Sequence, residues 1–155
     1  MTDVVPALRR SQMMSGIRSR NTVPEIRVRR LLHRQGYRFR LHRGDLPGTP
    51  DIVLPSRRIA IFVHGCFWHL HQGCRLARVP GTREDFWRAK LTRNRERDEA
   101  AIAKLRALGW RVLVVWECYL RGSKDDAELA GALSMWVEAC DSYGELSEAS
   151  SAGDC

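Results

Sequence analysis

The sequence has no apolar run of about 18 residues, which is the length that a membrane-spanning helix needs. Its first residues, Met1 to Pro6, do not contain the apolar stretch of a signal peptide, and the chain shows no internal repeat. We therefore expect a protein without a membrane partner, located in the cytoplasm. A chain of 155 residues that is 44% apolar predicts one domain whose core needs no disulfides.

Cysteine is scarce and odd in number, which argues against a disulfide framework. The five cysteines are Cys66, Cys74, Cys118, Cys140 and Cys155. Several of them stand close to histidines in the sequence, and this combination favours metal ligation over disulfide formation.

Acidic residues are few until the last part of the chain. Residues 1–50 carry 11 Arg and Lys against 3 Asp and Glu, and residues 51–122 carry 14 against 7. Residues 123–155 reverse the balance, with 1 against 8. A strongly basic body indicates a polyanionic partner such as nucleic acid, because clustered cations release its counterions. The charge alone is equally compatible with an Arg-rich surface in contact with solvent.

The apolar pattern predicts a helix, three strands, a long helix, a strand and a final helix. These elements fall at residues 22–35, 37–41, 51–54, 59–63, 82–108, 110–116 and 125–139. Thr22 and Glu25 form a capping box for the first helix, and Thr82 is the expected cap of the long one. The order is typical of a small α/β domain with a mixed sheet and helices on its faces, here within residues 22–140. Residues 1–21 are predicted to form a basic arm or helix, and residues 141–155 an acidic disordered tail.

A cluster of cysteine and histidine follows the second central strand and predicts a zinc site. Three thiolates and one imidazole complete a closed tetrahedral site of the structural kind, and the candidate ligands are Cys66, His71, Cys74 and Cys118. The spacing does not distinguish His71 from His64 or His69 as the nitrogen ligand. Cysteines also occur as small core residues, which is the alternative interpretation.

Asp51 and two histidines are the candidates for phosphodiester chemistry. A carboxylate at the start of a central strand can hold Mg²⁺, and a backbone carbonyl of the next strand can add an oxygen ligand. A nearby imidazole, His64 or His69, could move the proton of an attacking water or stabilise the transition state. Taken singly, such an aspartate more often bonds to a turn, and such a histidine is more often packed or at the surface.

Together these residues resemble the very-short-patch repair (Vsr) endonucleases over about residues 8–122. The motifs are Thr22-x-x-Glu25, Pro47 to Asp51 (PGTPD), Ile61 to His69 (IFVHGCFWH), Phe86-Trp87, Asn94-x-x-x-Asp98 and Gly109 to Cys118 (GWRVLVVWEC). The resemblance implies a restriction-endonuclease-like fold of the PD-(D/E)XK type with a central mixed sheet, flanking helices and a structural zinc. It also implies Mg²⁺-dependent nicking of the thymine strand at T:G mismatches that arise when 5-methylcytosine deaminates.

The resemblance assigns roles to individual residues. Asp51 would be the Mg²⁺ carboxylate, His69 the catalytic histidine and His64 a contact to the scissile phosphate. Glu25 and Asp98 would support the site, and the backbone carbonyl of residue 63 would be a further Mg²⁺ ligand. Residue 63 is Val63 here, where some relatives have threonine, so only its backbone can take that role.

Several side chains near these motifs are expected to contact DNA. They are Phe67, Trp68, Trp87, Lys90 and Asn94. Apolar side chains can wedge between base steps, and a mispaired step costs less to unstack than a paired one. The alternatives are a core position for Trp87 and a solvated helix face for Lys90 and Asn94.

The leading interpretation is a strand-specific endonuclease acting on double-stranded DNA that contains T:G mismatches, as a monomer, with other mismatch-repair proteins as further partners. A second interpretation is a restriction-like nuclease of the same fold that cuts normal or modified DNA. A third is a zinc-stabilised DNA-binding module without chemistry.

Overall fold

A five-stranded mixed sheet forms the centre of the computed structural model, which describes residues 21–122 and 125–148. The strands lie in the order β1-β2-β3-β4-β5, with β1, β2 and β3 antiparallel and β3, β4 and β5 parallel. Their bounds are β1 Arg40–Leu41, β2 Ile52–Leu54, β3 Ile59–His64, β4 Arg111–Trp116 and β5 Tyr143–Leu146. The mixed α/β class predicted from the sequence is confirmed and is consistent with a Vsr nuclease fold.

Within residues 21–122 and 125–148, four α-helices cover the two faces of this sheet. They are α1 Val23–Arg34, α2 Glu84–Ala107, α3 Glu117–Arg121 and α4 Asp126–Glu138. Helices α1 and α4 pack on the face formed by Ile59 and Ile61 of β3, whereas α2 packs on the face formed by Ala60 and Phe62. The alternation follows from the two-residue period of a strand, and burial on both faces explains why β3 is almost entirely apolar.

Side-chain caps define where two of the helices begin. The Thr22 hydroxyl accepts the Glu25 N–H at 3.3 Å, as predicted, while the Glu25 carboxylate accepts the N–H of Asn21 at 2.9 Å. The Asp125 carboxylate accepts the Glu128 N–H at 2.8 Å at the start of α4. These bonds satisfy amide groups that have no partner within the helix.

The long helix begins two residues later than predicted, and Thr82 is not its cap. Arg83 occupies the cap position with a φ of 57°, and no side chain bonds to the first turn. Glu84 and Asp85 instead place negative charge at the positive end of the helix dipole. The first predicted strand is also shorter than expected, because only Arg40 and Leu41 pair with β2.

The prediction of disorder from residue 141 onward is wrong for residues 143–146. These residues form β5, and Tyr143 to Leu146 pair in parallel with Val112 to Val115. A segment with this much polar character forms a strand because β4 offers it a free edge, which local sequence does not report. Residues 149–155 lie outside the described residues, as do residues 1–20 of the predicted basic arm. In the described parts of the chain, no helix is both long and apolar enough to cross a membrane.

Gly144 allows β5 to pack against α4, and we expect its replacement to destabilise this edge. A Cβ atom at Gly144 would lie 2.1 Å from Nε1 of Trp136, a buried ring with little freedom to move. Gly144→Ala should therefore lower the free energy of unfolding by about 1–3 kcal/mol, measured by urea denaturation.

Gly131→Ala is the matched control, because a Cβ there meets no atom within 4 Å. Gly131 lies within α4, so alanine should raise stability by about 0.5–1 kcal/mol through helix propensity. Equal stability of Gly144→Ala and wild type would show that β5 does not depend on this close approach.

Candidate active site

Asp51 is held at the start of β2 by a turn that packs against α2. Gly48 has a φ of +74°, and a Cβ there would lie 2.6 Å from Cβ of Ala101. The close approach explains glycine in the Pro47 to Asp51 motif. Asp51 Oδ2 accepts the N–H of Val63 at 2.8 Å. This side-chain hydrogen bond continues the connection between β2 and β3 beyond their last backbone pair, Ile52 with Ile61.

The Asp51 carboxyl group has an unfavourable environment for a negative charge. Burial raises its pKa to about 7, and the nearby carboxylates of Glu25 and Asp98 act in the same direction. The hydrogen bond from Val63 opposes this rise. Without a cation, Asp51 therefore keeps its proton up to near neutral pH, and a bound cation would remove the reason for protonation.

Glu25 and His42 form a close pair beside Asp51. Nε2 of His42 is 2.5 Å from Oε1 of Glu25, and a polar atom of each of the three residues lies within 4.8 Å of the others. Glu25 is 1% exposed, and Nη1 of Arg29 is 3.5 Å from Oε1 on the same helix. The contact of Glu25 with this site was predicted, whereas His42 was missed.

His64, His69 and Asp98 form a second group, with ligand atoms also within 4.8 Å of one another. His69 Nδ1 is 2.5 Å from Asp98 Oδ2, so α2 fixes the imidazole from one side. The ring of His64 stacks on that of His69 with centroids 3.8 Å apart. Burial first, and then the neighbouring His69 and His71, lower the pKa of His64 well below its usual range, so His64 is neutral.

The predicted zinc ligands form a third group. The ligand atoms of Cys66, His71, Cys74 and Cys118 all lie within 4.8 Å of one another. The structure therefore brings His71 to the cysteines and leaves His64 and His69 with Asp98. The imidazole of His71 stacks on Trp116 with centroids 3.9 Å apart, which fixes its orientation.

The environment of these thiols suits a metal-bound thiolate. The Cys118 N–H donates to Cys66 Sγ at 3.3 Å, and the Glu148 N–H donates to Cys118 Sγ at 3.4 Å. Burial nevertheless raises the pKa of both the Cys66 and the Cys118 thiol. Thiols that are buried beside amide donors but resist ionisation on their own fit a soft cation, which supplies the missing positive charge.

The predicted DNA-contacting aromatics form one partly buried cluster between the histidine loop and α2. Phe67, Trp68 and Trp87 lie with ring centroids 5.0 to 6.1 Å apart, and Lys90 Nζ is 5.7 Å from the Trp68 ring centre. Asn94 donates from Nδ2 to the Trp68 carbonyl at 3.1 Å. In this structure Asn94 therefore holds the loop, and Lys90 stacks on the aromatic cluster.

His42 is the site residue that sequence reasoning missed, and strand register is the signal that could have found it. The pairing of Leu41 with Ile52 places His42 opposite Asp51, and the His42 N–H donates to the Asp51 carbonyl at 3.2 Å. Directly opposed residues of an antiparallel pair have neighbouring side chains. A correct register for the short strand β1 would have indicated His42.

Known proteins match this chain over most of its length. A family described as "DNA mismatch endonuclease Vsr" matches residues 2–75. The type II nicking enzyme V.XorIIP of Xanthomonas oryzae pv. oryzae is 59% identical over 120 residues, which cover 77% of this chain and 88% of that protein. The DNA mismatch endonuclease Vsr of Escherichia coli is 47% identical over 139 residues, which cover 88% of each protein. The type II nicking enzyme V.NmeAIP of Neisseria meningitidis serogroup A is 42% identical over 121 residues, which cover 78% of this chain and 86% of that protein. These relatives cover 77% to 88% of a chain that gathers carboxylates and imidazoles at one end of its sheet. The chain therefore belongs to the Vsr endonuclease family and is an endonuclease.

Proposed function

We propose that this endonuclease uses Mg²⁺ to nick double-stranded DNA next to the thymine of T:G mismatches left by deamination of 5-methylcytosine, which begins very-short-patch repair. The observation that carries the proposal is that Asp51, which accepts the N–H of Val63, lies near enough to Asp98 for that carboxylate to raise the Asp51 pKa, and Asp98 in turn contacts His69. Relatives named as a mismatch endonuclease and as nicking enzymes support cleavage of one strand.

The donors around Asp51 fit a hard divalent cation. Asp51 supplies a carboxylate, and the Val63 carbonyl points to the same edge as the Val63 N–H, which bonds to Asp51. Glu25 and Asp98 add negative charge nearby. When bound, Mg²⁺ would lower the pKa of water and offset charge on the phosphate oxygens.

We assign His69 to proton transfer in the reaction. Asp98 accepts from Nδ1 of His69, which leaves Nε2 free to take a proton from an attacking water. The neutral ring of His64, packed against His69, can donate a hydrogen bond to the scissile phosphate. The Glu25 carboxylate already contacts Asn21, Arg29 and His42, so we assign it to support of the site.

The group of three cysteines and His71 would hold a structural Zn²⁺. Four protein ligands leave no open position for water, so such a site contributes stability rather than chemistry. The zinc would join the loop that follows β3 to helix α3, which follows β4. The same loop carries His69, Phe67 and Trp68.

Recognition of the mismatch is assigned to the aromatic cluster. A T:G pair differs little from T:A in charge, so phosphate contacts with the basic surface position the DNA without selecting the mismatch. Selection instead depends on the lower cost of deforming a mispaired step, into which Phe67, Trp68 or Trp87 could insert.

The first test compares T:G and T:A duplexes of the same sequence, with Mg²⁺ and with EDTA. We expect nicking of the thymine strand in the T:G duplex with Mg²⁺, and no nicking with EDTA. Asp51→Ala should abolish nicking while preserving duplex binding, and His69→Ala should slow single-turnover nicking by roughly 10²–10⁴-fold.

His33→Ala is the control, because His33 is exposed on α1 and makes an edge contact with Phe39 outside the site. Near-wild-type nicking by Asp51→Ala would contradict the active-site assignment. Equal cleavage of both duplexes would favour the restriction-like interpretation.

The second test concerns zinc. We expect about one equivalent of Zn²⁺ per purified chain, and Cys74→Ala should lose it and melt at a lower temperature, because structural metal binding contributes directly to folding. Metal content by mass spectrometry and thermal denaturation provide the two measurements.

Cys140→Ala is the matched control, because Cys140 is exposed and lies outside the cluster. It should keep both the zinc and the wild-type melting temperature. A zinc-free wild-type protein, or a Cys74→Ala variant that melts like wild type, would show that the assignment of this site is wrong.

The third test concerns Trp68. Trp68→Ala should fold and keep zinc while its preference for T:G over T:A falls roughly 5- to 150-fold, the equivalent of roughly 1–3 kcal/mol of base–aromatic stacking. The measurement is the ratio of single-turnover nicking rates on the two duplexes.

Leu108→Ala removes an exposed apolar side chain at the other end of α2 and should leave the ratio unchanged. If Trp68→Ala keeps the full preference, or loses zinc and unfolds, Trp68 has a structural role and the wedge hypothesis is wrong.

A further inference from the structure

We infer that His42 supplies a nitrogen ligand to the cation site of Asp51, so that this site binds Mn²⁺ more tightly than Mg²⁺. This inference rests on the proposed function, since it concerns the cation that Asp51 is proposed to hold. It assigns a ligand role to a residue that neither the sequence motifs nor the proposed Mg²⁺ site includes.

The fold brings His42 to the cation site through strand register. His42 follows β1, stands opposite Asp51 and donates its backbone N–H to the Asp51 carbonyl at 3.2 Å. The side chains of directly opposed residues emerge on the same face of an antiparallel pair. His42 is therefore fixed beside Asp51 by backbone pairing.

The backbone of His42 adopts a conformation that is uncommon among residues other than glycine. Its φ is +48°, in the left-handed region that residues other than glycine seldom adopt. Such conformations persist where the surrounding structure requires them, and they concentrate at functional sites. The side chain is only 13% exposed, and it turns its Nε2 atom inward toward the Glu25 carboxylate.

Glu25, His42 and Asp51 together form a mixed oxygen and nitrogen donor set. One ligand atom from each lies within 4.8 Å of the other two, a spacing that a single cation can bridge. Each comes from a different part of the sheet and helix framework, which makes the set rigid. The contact of 2.5 Å between Nε2 of His42 and Oε1 of Glu25 holds both donor atoms beside Asp51.

The chemistry of this donor set indicates which cation it prefers. Carboxylate and carbonyl oxygens suit Mg²⁺ and Mn²⁺ alike, whereas an imidazole favours first-row transition metals over Mg²⁺. Mn²⁺ accepts both kinds of ligand. A site of carboxylates alone would discriminate little between the two ions, so His42 is the residue that should set the preference.

The alternative role for His42 is a simple ion pair that orients Glu25. Arg29 already lies 3.5 Å from Oε1 of Glu25, and the Asn21 N–H bonds to Oε2, so Glu25 has two other partners. An orienting partner would affect the affinities for Mn²⁺ and Mg²⁺ equally. A ligand would affect the affinity for Mn²⁺ more strongly, and this difference separates the two roles.

The test measures metal binding by the full-length, zinc-loaded protein without DNA. Free Mn²⁺ is followed by electron paramagnetic resonance, and Mg²⁺ is measured by its competition with Mn²⁺. His42→Gln should weaken Mn²⁺ binding roughly 10- to 100-fold, while Mg²⁺ binding changes by less than about threefold. His33→Gln is the matched control and should change neither affinity.

A spectroscopic measurement provides a second and more direct readout. The electron spin echo of bound Mn²⁺ should show modulation from a ligated imidazole nitrogen, and His42→Gln should reduce it. His42→Asn is made in parallel, because asparagine tolerates a positive φ but is too short to reach the cation. An unchanged ratio of Mn²⁺ to Mg²⁺ affinity in the folded variants, or an unchanged nitrogen modulation, would overturn the inference.

Asp51→Asn separates failure of this inference from failure of the proposed function. If Asp51→Asn binds Mn²⁺ as tightly as wild type, the cation does not lie at Asp51, and both proposals are wrong. If Asp51→Asn loses Mn²⁺ while His42→Gln keeps the wild-type ratio, the proposed function stands and only the role of His42 fails.

Discussion

The parallel pairing of β3 with β4 is the interaction on which the site depends. Val63 stands opposite Val115 and His64 opposite Trp116, so both strands end at the same level. The segments that leave these two ends must then meet, which is how Cys118 reaches the loop that follows His64. A shift by one residue would turn every side chain of one strand to the opposite face of the sheet, so the packing of different helices on the two faces fixes the register of this pair.

This arrangement concentrates carboxylates around Asp51, which lowers the stability of the folded protein when no cation is bound. Asp51 lies near the carboxylates of Glu25 and Asp98, and burial raises its pKa to about 7. A group whose pKa rises on folding destabilises the folded state as pH increases through that range. In the metal-free protein this loss of stability develops between the usual pKa of an aspartate and about 7 and is complete above about 7, and a bound cation would offset it. A site that is unfavourable when empty and favourable when filled fits the metal dependence that we propose for this nuclease.

Local sequence was sufficient for some parts of this fold and not for others. The Thr22 cap and the strand Arg111–Trp116 could be predicted because short-range hydrogen bonding and apolar runs determine them. The strand at residues 143–146 and the position of His42 depend on pairing partners far along the chain. The polar side chains of residues 143–146 predicted disorder there, and a histidine in the sequence does not indicate that its backbone has a positive φ. Long-range register is therefore the information that the sequence alone did not reveal.

The loop after β3 carries the residues that we propose for stability, chemistry and recognition, and they lie between Gly65 and Cys74. Its backbone is tightly turned, with the His69 N–H bonded to the Gly65 carbonyl at 3.1 Å and the His71 N–H bonded to the Cys66 carbonyl at 2.9 Å. The zinc-ligand candidates Cys66 and His71 are thus bonded to each other across the turn that carries Trp68 and His69. Because these residues contact one another, substitutions among them are expected to be strongly non-additive. A substitution at Cys66 is therefore expected to disturb His69 as well, so loss of activity in such a variant is not by itself a sign of a catalytic cysteine.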